Sequence, residues 1–378
     1  MTEVVVVGAG IVGAAVAREL AVRGVEVTLL DRGAVSSGTT GLGEGNVLCS
    51  DKDAGPELEL ARAGLAIYGE LEARLGDEAR IRRKGALIVH PDEANWAAEP
   101  ARLKRVGIAG ARLVAADEVR ELEPELTGDL CGASLFPDDL QCDPRAIARA
   151  LAREAAEAGA TIREGCAVEA VCRRGVRLEA ETLEAGAVVI AAGPWSAALA
   201  RSAGLPLPLE PRKGQLVKLA ARERGLVRHK VVDGSYLASV ASGDAGLELS
   251  TVVETTWEGD VLVGSSRERR GFDTSVDSQV GEAMVARAAR LFPRLNALPV
   301  ASAWAGLRPW LPDHLPAIGE SRAIPGLWLA TGHEGAGVAL GPITGRLVAQ
   351  LYAGEQPVVD PAPFDPDRFI RRQGRCSR

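Results

Sequence analysis

No C-x-x-C pair occurs anywhere in this chain. Its six cysteines, Cys49, Cys131, Cys142, Cys166, Cys172 and Cys376, are scattered. That spacing supports neither a zinc site nor an iron–sulfur cluster held by this chain alone, and reduced thiols are expected. Basic excess is missing too. Lys and Arg total 44 against 51 Asp and Glu, a net charge of −7, which argues against a general nucleic-acid or anionic-membrane surface. Only near the end do cations gather, at Arg368, Arg371, Arg372, Arg375 and Arg378, where a solvated or disordered tail is expected. No apolar run approaches the roughly 20 residues that span a bilayer. The run at Val4 to Val7 is too short for a signal segment and has no basic leader, so a cytoplasmic protein is expected. There is no Ser/His/Asp constellation, no metal-ligand cluster, no internal repeat and no low-complexity segment. What remains, 378 residues of which 47% are hydrophobic and 25% charged, describes an ordinary protein of two or three structural domains with ample core.

One stretch organises the rest: residues 4–31, VVVVGAGIVGAAVARELAVRGVEVTLLD. Val4 to Val7 is short and unbroken enough for a strand buried on both faces. Gly8, Gly10 and Gly13 follow in G-x-G-x-x-G spacing; 11–20 carries a helical pattern, and 25–30 reads as a second buried strand ending at Asp31. Gly8 permits the tight turn, Gly10 lets a pyrophosphate approach the backbone, and Gly13 lets the helix pack against the strand. The helix N-terminus offers free N–H groups and partial positive charge to phosphates. Asp31 stands where a carboxylate accepts from an adenosine ribose and repels a 2′-phosphate. Strand, turn, helix, strand and acid in that order imply a dinucleotide site.

Beyond Asp31, the loop 36–46 is dense in glycine and small hydroxyls. Such a loop can meet phosphate or a flat ring, or simply lie on the surface. Leu58, Ala61, Leu65, Tyr68, Leu71 and Leu75 predict a helix from Pro56, stopped by Gly76. Residues 85–140 change character, with strands at 86–90 and 131–136 and a short helix at 117–122 ending before Pro124. They carry no catalytic cluster and read as an inserted part of a second domain. Asp143 as N-cap and Pro144 as first helical residue open a helix that buries Ile147, Leu151 and Ala155 and ends at Gly159. Residues 188–195, VVIAAGPW, repeat the opening logic of buried strand and glycine turn. Segments 212–219, 236–240, 247–253 and 261–265 predict a meander of antiparallel strands, and 281–291 a helix. A last buried strand, 327–331, runs through a glycine-rich loop at 332–337 into a helix reaching about 351.

Taken together, GAGIVG at 8–13, the 36–46 loop, AAGPW at 191–195, WAGLRP at 304–309 and TGHEGAG at 331–337 resemble the D-amino-acid oxidase family of flavoproteins, which includes glycine and sarcosine oxidases. The resemblance covers nearly the whole chain. LVGSSRE at 262–268 and TGHEG at 331–335 look most like one branch, the flavoprotein subunits of hydrogen cyanide synthase, opine oxidase and D-hydroxyproline dehydrogenase. The implied fold is α/β: a Rossmann-like FAD-binding domain (1–85, 141–211 and 300–378) with a discontinuous α+β substrate-binding domain (86–140 and 212–299) built on an antiparallel sheet.

The resemblance also implies FAD and the residues that hold it. These are Gly8, Ala9, Gly10, Ile11, Val12 and Gly13, with Asp31 and Arg32. The early loop adds Ser37, Gly38, Thr39, Thr40, Gly43, Glu44, Gly45 and Asn46. Val168 would lie near the adenine and Gly193 near the pyrophosphate, with Ala192 and Trp195 also contributing to the cofactor site. Gly306 and Arg308 come from the WAGLRP motif. The final loop, Gly332, His333, Glu334, Gly335, Ala336, Gly337 and Val338, would face the pyrimidine end of the flavin, where a helix N-terminus stabilises the charge gained on reduction. Some relatives attach the flavin through a cysteine after the Gly-Leu-Arg-Pro motif or a histidine in the early loop. Residues 310–320 hold no cysteine and 36–46 no histidine, so non-covalent FAD is expected.

The catalytic residues implied are Arg308, His333 and Glu334. Arg308 would pair its planar fork with a substrate carboxylate. Glu334 would bind a substrate ammonium or cap the helix, and His333 would pack or touch the flavin. The reaction implied is oxidation of a C–N bond in an amino or imino acid, such as D-hydroxyproline, sarcosine, glycine or an opine, by hydride transfer to flavin N5. Two alternatives stand beside it: a self-sufficient oxidase that makes peroxide, and a non-catalytic flavin-binding subunit. Iron–sulfur and second flavoprotein subunits are the implied partners of the first reading.

Overall fold

Strand Thr2–Val7 pairs in parallel with Val27–Leu30 on one side and Thr182–Ile190 on the other in a computed structural model that describes residues 2–127 and 129–373. Thr161–Arg163 extends the sheet beyond Val27–Leu30, and Leu327–Thr331 extends it beyond Thr182–Ile190. Ala317–Glu320 closes that edge antiparallel. The unbroken valine run has the burial a two-sided strand requires. Val4 and Val6 face a core shared with helices Ile11–Ala21, Pro56–Leu75, Pro144–Glu157 and Gly337–Tyr352. Val5 and Val7 face a second core, where hairpin strands Val168–Cys172 and Gly175–Leu178 and helix Ser196–Ser202 pack. Helix Gly337–Tyr352 lies very close to Ile11–Ala21, since a Cβ at Gly345 would fall 2.5 Å from the Ala15 carbonyl carbon.

The second sheet has eight strands. Their order is Val300–Trp310, Glu210–Leu219, Val261–Arg267, Glu248–Thr255, Lys230–Asp233, Ala86–His90, Gly132–Phe136 and Arg112–Ala115. All neighbours are antiparallel except Lys230–Asp233 with Ala86–His90. Helix Ser278–Leu291 covers one face through Val280, Met284 and Ala288. The other face looks toward the early loop and the first sheet.

The cap at Asp143 is formed as its sequence demands. Its carboxylate accepts from the N–H groups of Arg145 and Ala146, with Pro144 at the first turn. Elsewhere the structure corrects the expectation. Residues 236–240 are not a strand; they lie in helix Ser235–Ala241, started by the Asp233 carboxylate accepting the Ser235 N–H. Tyr236 and Ser239 are buried three residues apart, a helical spacing that five residues cannot distinguish from a strand. Helix Glu93–Val106 went unread. Its interior Pro100 masks a pattern opened by the Asp92 cap. Strand Val300–Trp310 pairs with Glu210–Leu219 over nearly its full length and so forms an edge of the second sheet. Arg368 is not a solvated tail residue. It donates to both oxygens of Asp313 and to the Leu315 carbonyl. Arg375 and Arg378 lie outside the described residues. Among the described residues no helix is long and apolar enough to cross a membrane.

Candidate active site

The two sheets meet around a cavity of about 520 Å³, within the range of cofactor and ligand sites. The glycine turn forms one wall. Gly8 has φ +108°, and a Cβ there would lie 2.4 Å from the Ala191 carbonyl oxygen. Geometry and space both demand glycine. A Cβ at Gly13 would lie 1.8 Å from the Gly8 oxygen, so the helix can approach the strand only without one. Thr40 Oγ1 accepts the Ile11 N–H at 3.0 Å, tying the early loop to the helix N-terminus. Asp31 steadies this end: its carboxylate accepts from the N–H groups of Ala9 at 2.7 Å and Gly33 at 2.8 Å. Beside it, the Arg32 guanidinium carbon stands 3.7 Å from the Trp195 ring centroid.

Most residues singled out in the sequence line this cavity. Gly8, Gly10, Ile11 and Val12 do so, as do Asp31, Arg32, Ser37, Gly38, Thr39 and Thr40. Gly43, Glu44, Gly45, Asn46, Val168, Ala192, Gly193 and Trp195 continue the lining. Gly306, Arg308, His333, Glu334, Gly335, Gly337 and Val338 complete it. Ala9, Gly13, Gly332 and Ala336 are not on the lining. The turn residues among them act from behind it: Ala9 donates to Asp31, and Gly13 permits the close packing.

Arg308 crosses the neighbouring strand. Its Nη1 donates to the carbonyls of Ser266 at 3.1 Å and Lys213 at 3.5 Å. Gly214 makes room, because a Cβ there would fall 2.0 Å from that nitrogen. Burial pulls the Arg308 pKa down, with Glu334 opposing. Among the described residues no carboxylate lies within ion-pair distance of Arg308, and Nε and Nη2 make no hydrogen bond to protein.

Two further arginines stand near it, and sequence reasoning had assigned neither. Arg267 is buried, donates to the hydroxyls of Ser239, Ser250 and Ser265 at 3.2–3.4 Å, and stacks 4.8 Å from the Tyr236 centroid. Arg212 donates to Glu248 at 3.0 Å. Glu334 sits against both, with Oε1 3.7 Å from Arg212 Nη1 and 3.9 Å from Arg267 Nε. Burial opposes its ionisation, but Arg267, Arg308 and Arg212 outweigh it and hold the carboxyl below its usual range. Its other oxygen accepts the Gly335 N–H. His333 shares a 2.9 Å hydrogen bond with Thr344 Oγ1, and burial pushes its pKa down to about 3. It is therefore a neutral ring at ordinary pH. Arg267 lay inside the quoted LVGSSRE motif, the one signal that pointed to it.

The arrangement fits FAD. A helix N-terminus borders the cavity at Ile11 and another at Gly337. Asp31 lines the cavity beside the glycine turn, and the cations of Arg267 and Arg308 line it as well. The family model described as FAD dependent oxidoreductase, DAO, matches residues 3–351. The chain is 32% identical over 380 residues to a glycine oxidase of Pseudomonas aeruginosa, covering 96% of this chain and 98% of that one. It is 30% identical over 324 residues to a hydrogen cyanide synthase subunit, HcnC, of the same organism, covering 82% and 74%. The crystal structure of an L-proline dehydrogenase from P. horikoshii superposes with a TM-score of 0.89 at 25% identity, covering 98% of both chains. The chain belongs to the DAO family of FAD-dependent oxidoreductases and is an FAD-dependent amino-acid oxidoreductase.

Proposed function

We propose that this enzyme oxidises the C–N bond of an amino or imino acid whose carboxylate is taken by Arg308, with secondary and N-substituted amines foremost. The observation that carries this reading is Arg308 itself. It is a buried guanidinium on the cavity wall, held on one nitrogen by two backbone carbonyls, with no hydrogen bond from its other donors to protein among the described residues. A planar fork of this kind fixes both oxygens of a carboxylate and so the α-carbon beside it.

Bound FAD supplies the two-electron acceptor. The α-carbon would give up its hydrogen with the bonding pair to that acceptor, the nitrogen's proton would pass to solvent water, and water would hydrolyse the resulting imine to a carbonyl compound and an amine or ammonia. The chain's own groups bind and orient. Glu334 tempers the arginine cluster, and His333 is neutral and hydrogen-bonded to Thr344, which suits orientation rather than proton abstraction. The helix N-terminus at Gly337, on the cavity lining, would offer positive partial charge to the reduced flavin. In this reading the segments 1–85, 141–211 and 300–378 hold the cofactor while 86–140 and 212–299 face the substrate, with Val300–Trp310 reaching across to deliver Arg308. The FAD is non-covalent. Cys166 does line the cavity, but its N–H donates to the Asp31 carbonyl at 2.7 Å, beside the residue to which this reading assigns the adenosine.

Anaerobic bleaching of the flavin by D-hydroxyproline, D-proline, sarcosine, glycine and opines tests the reading; a flavin that none of them reduces overturns it. The similarity to a glycine oxidase favours direct return of electrons to oxygen as a second reading. The similarity to HcnC favours a partner subunit as acceptor. Reduced enzyme that reoxidises quickly with dyes and slowly with oxygen supports the partner route, and equal rates support the oxidase.

A further inference from the structure

Glu44 and Glu334 are both acids on the cavity wall, and their surroundings differ. Glu334 Oε2 accepts the Gly335 N–H, and its Oε1 makes no hydrogen bond among the described residues but is enclosed between Arg212 at 3.7 Å and Arg267 at 3.9 Å. Glu44 is engaged on one side only. Its Oε2 accepts from Lys230 Nζ at 2.8 Å and from Asn46 Nδ2 at 2.6 Å, while Oε1 has no hydrogen-bond partner among the described residues. That oxygen is not sealed in, because the side chain keeps 12% of its exposure on the lining of the cavity.

The support behind Glu44 is a built one. Lys230 is 1% exposed and comes from an inner strand of the second sheet. Its charge is shared with Glu254 at 3.9 Å, and Glu254 in turn accepts from Lys84 at 2.8 Å and Gln141 at 2.9 Å. Lys84, Glu254, Lys230 and Glu44 thus form a chain of alternating charges that ends at an open carboxylate oxygen. Gly264 leaves that oxygen its place, since a Cβ there would fall 2.7 Å from Oε1. Burial opposes ionisation of Glu44, yet Lys230, Asn46 and Arg308 hold the carboxyl below its usual range. Arg308 and Glu44 are close enough that each alters the other's proton affinity.

We propose that Glu44 Oε1 accepts a hydrogen bond from the substrate's amine N–H, opposite the Arg308 that takes its carboxylate. This rests on the amino-acid reading above and adds the amine end to it. An acceptor at one end of the substrate and a guanidinium at the other fix both ends of a molecule that carries N–H donors and a carboxylate. Glu44, expected from the sequence to hold the cofactor, is then a substrate-orienting residue, and the amine contact that was one of two roles expected of Glu334 moves to the early loop.

The test uses the FAD-loaded enzyme and the variant Glu44→Gln. Lys230 and Asn46 both donate toward the inner position, so the glutamine oxygen must turn to them and present its NH2 to the cavity. The acceptor becomes a donor with little change of shape. Two ligands are compared by their perturbation of the flavin spectrum: an amino acid, and acetate, which has the carboxylate without the amine. The expected result is weakening of the amino acid by about 30-fold or more, acetate within about threefold of wild type, and full FAD content. Gly264→Ala, which displaces Oε1 without removing the charge, should move the same ratio in the same direction. Equal weakening of both ligands, an unchanged amino-acid affinity, or loss of FAD without a change in the ratio each overturns the proposal. Wild-type enzyme that binds both ligands but is never reduced overturns the oxidation reading alone, because the ligand ratio still reports on Glu44.

Discussion

Arg308→Ala removes the group to which the substrate carboxylate is assigned, and its consequence can be worked from the geometry. The guanidinium is buried, and Nη1 is spent on the carbonyls of Ser266 and Lys213, which leaves Nε and Nη2 for a ligand. Removing one partner of a buried, hydrogen-bonded charge pair costs about 2–5 kcal/mol. At 1.36 kcal/mol per decade that is roughly 30- to several-thousand-fold in kcat/KM. The lower part of that range is expected, because Arg267 lines the same cavity and still offers a positive charge. FAD should stay bound, since the glycine turn and the early loop are untouched. The assay is stopped-flow reduction of the flavin under anaerobic conditions, with an amino acid and with the matching amino alcohol, which lacks the carboxylate. The amino acid should lose its advantage while the amino alcohol is unaffected. A kcat/KM within threefold of wild type, or equal loss for both compounds, would refute the assignment and return Arg308 to a structural role.

Gly214→Ala should imitate that loss without removing the arginine. The new methyl lies 2.0 Å from Arg308 Nη1, the end of a flexible side chain, so Tm should hold while kcat/KM for carboxylate substrates falls about tenfold or more, an effect of roughly 1.4 kcal/mol. His333 gives a pH signature. Its native pKa of about 3 lies below the unfolded value, so its contribution to stability is present above pH 6.5 and is lost as pH falls, by about 2 kcal/mol at pH 5. Asp139, raised to about 6 by burial, acts in the opposite sense, becoming more favourable as pH falls below 6. The measurement is therefore the difference between wild type and His333→Gln in urea unfolding at pH 7 and pH 5, and a difference independent of pH contradicts the buried neutral ring. Cys49 and Cys142, both pushed up to about 12, should escape thiol reagents at pH 8 in native protein while exposed Cys172 reacts; peptide mapping after labelling decides. Acid precipitation should release unmodified FAD into the supernatant, and flavin left on the polypeptide would contradict the non-covalent assignment.

Local chemistry made one half of this protein readable. The valine run, the three glycines and Asp31 are each demanded by contacts within a few residues or across one turn, and Gly8 and Gly13 could be no other residue in that space. Asp143 with Pro144 announced a helix because a cap acts on its own first turn. Such signals are short-range, so a linear reading finds them. The 236–240 segment shows the limit, since five residues with a few apolar positions suit either period and the choice fell to Asp233 and the packing around Tyr236.

Burial and pairing across distant strands decided the other half. Arg267 and Arg212 share Glu334 although they come from different strands and it opens the short 3-10 turn Glu334–Ala336. Lys230 meets Glu44 across 186 positions of sequence. In the sequence Arg212 and Lys230 are ordinary charged residues, and a lone lysine or arginine reads as solvated surface. The sequence by itself determined the dinucleotide turn, the alternation of nucleotide and sheet segments and the family to which the chain belongs. Only the tertiary structure decided which charges face one another, because register and sheet order bring distant residues together, and burial strengthens the attraction between opposite charges once they meet.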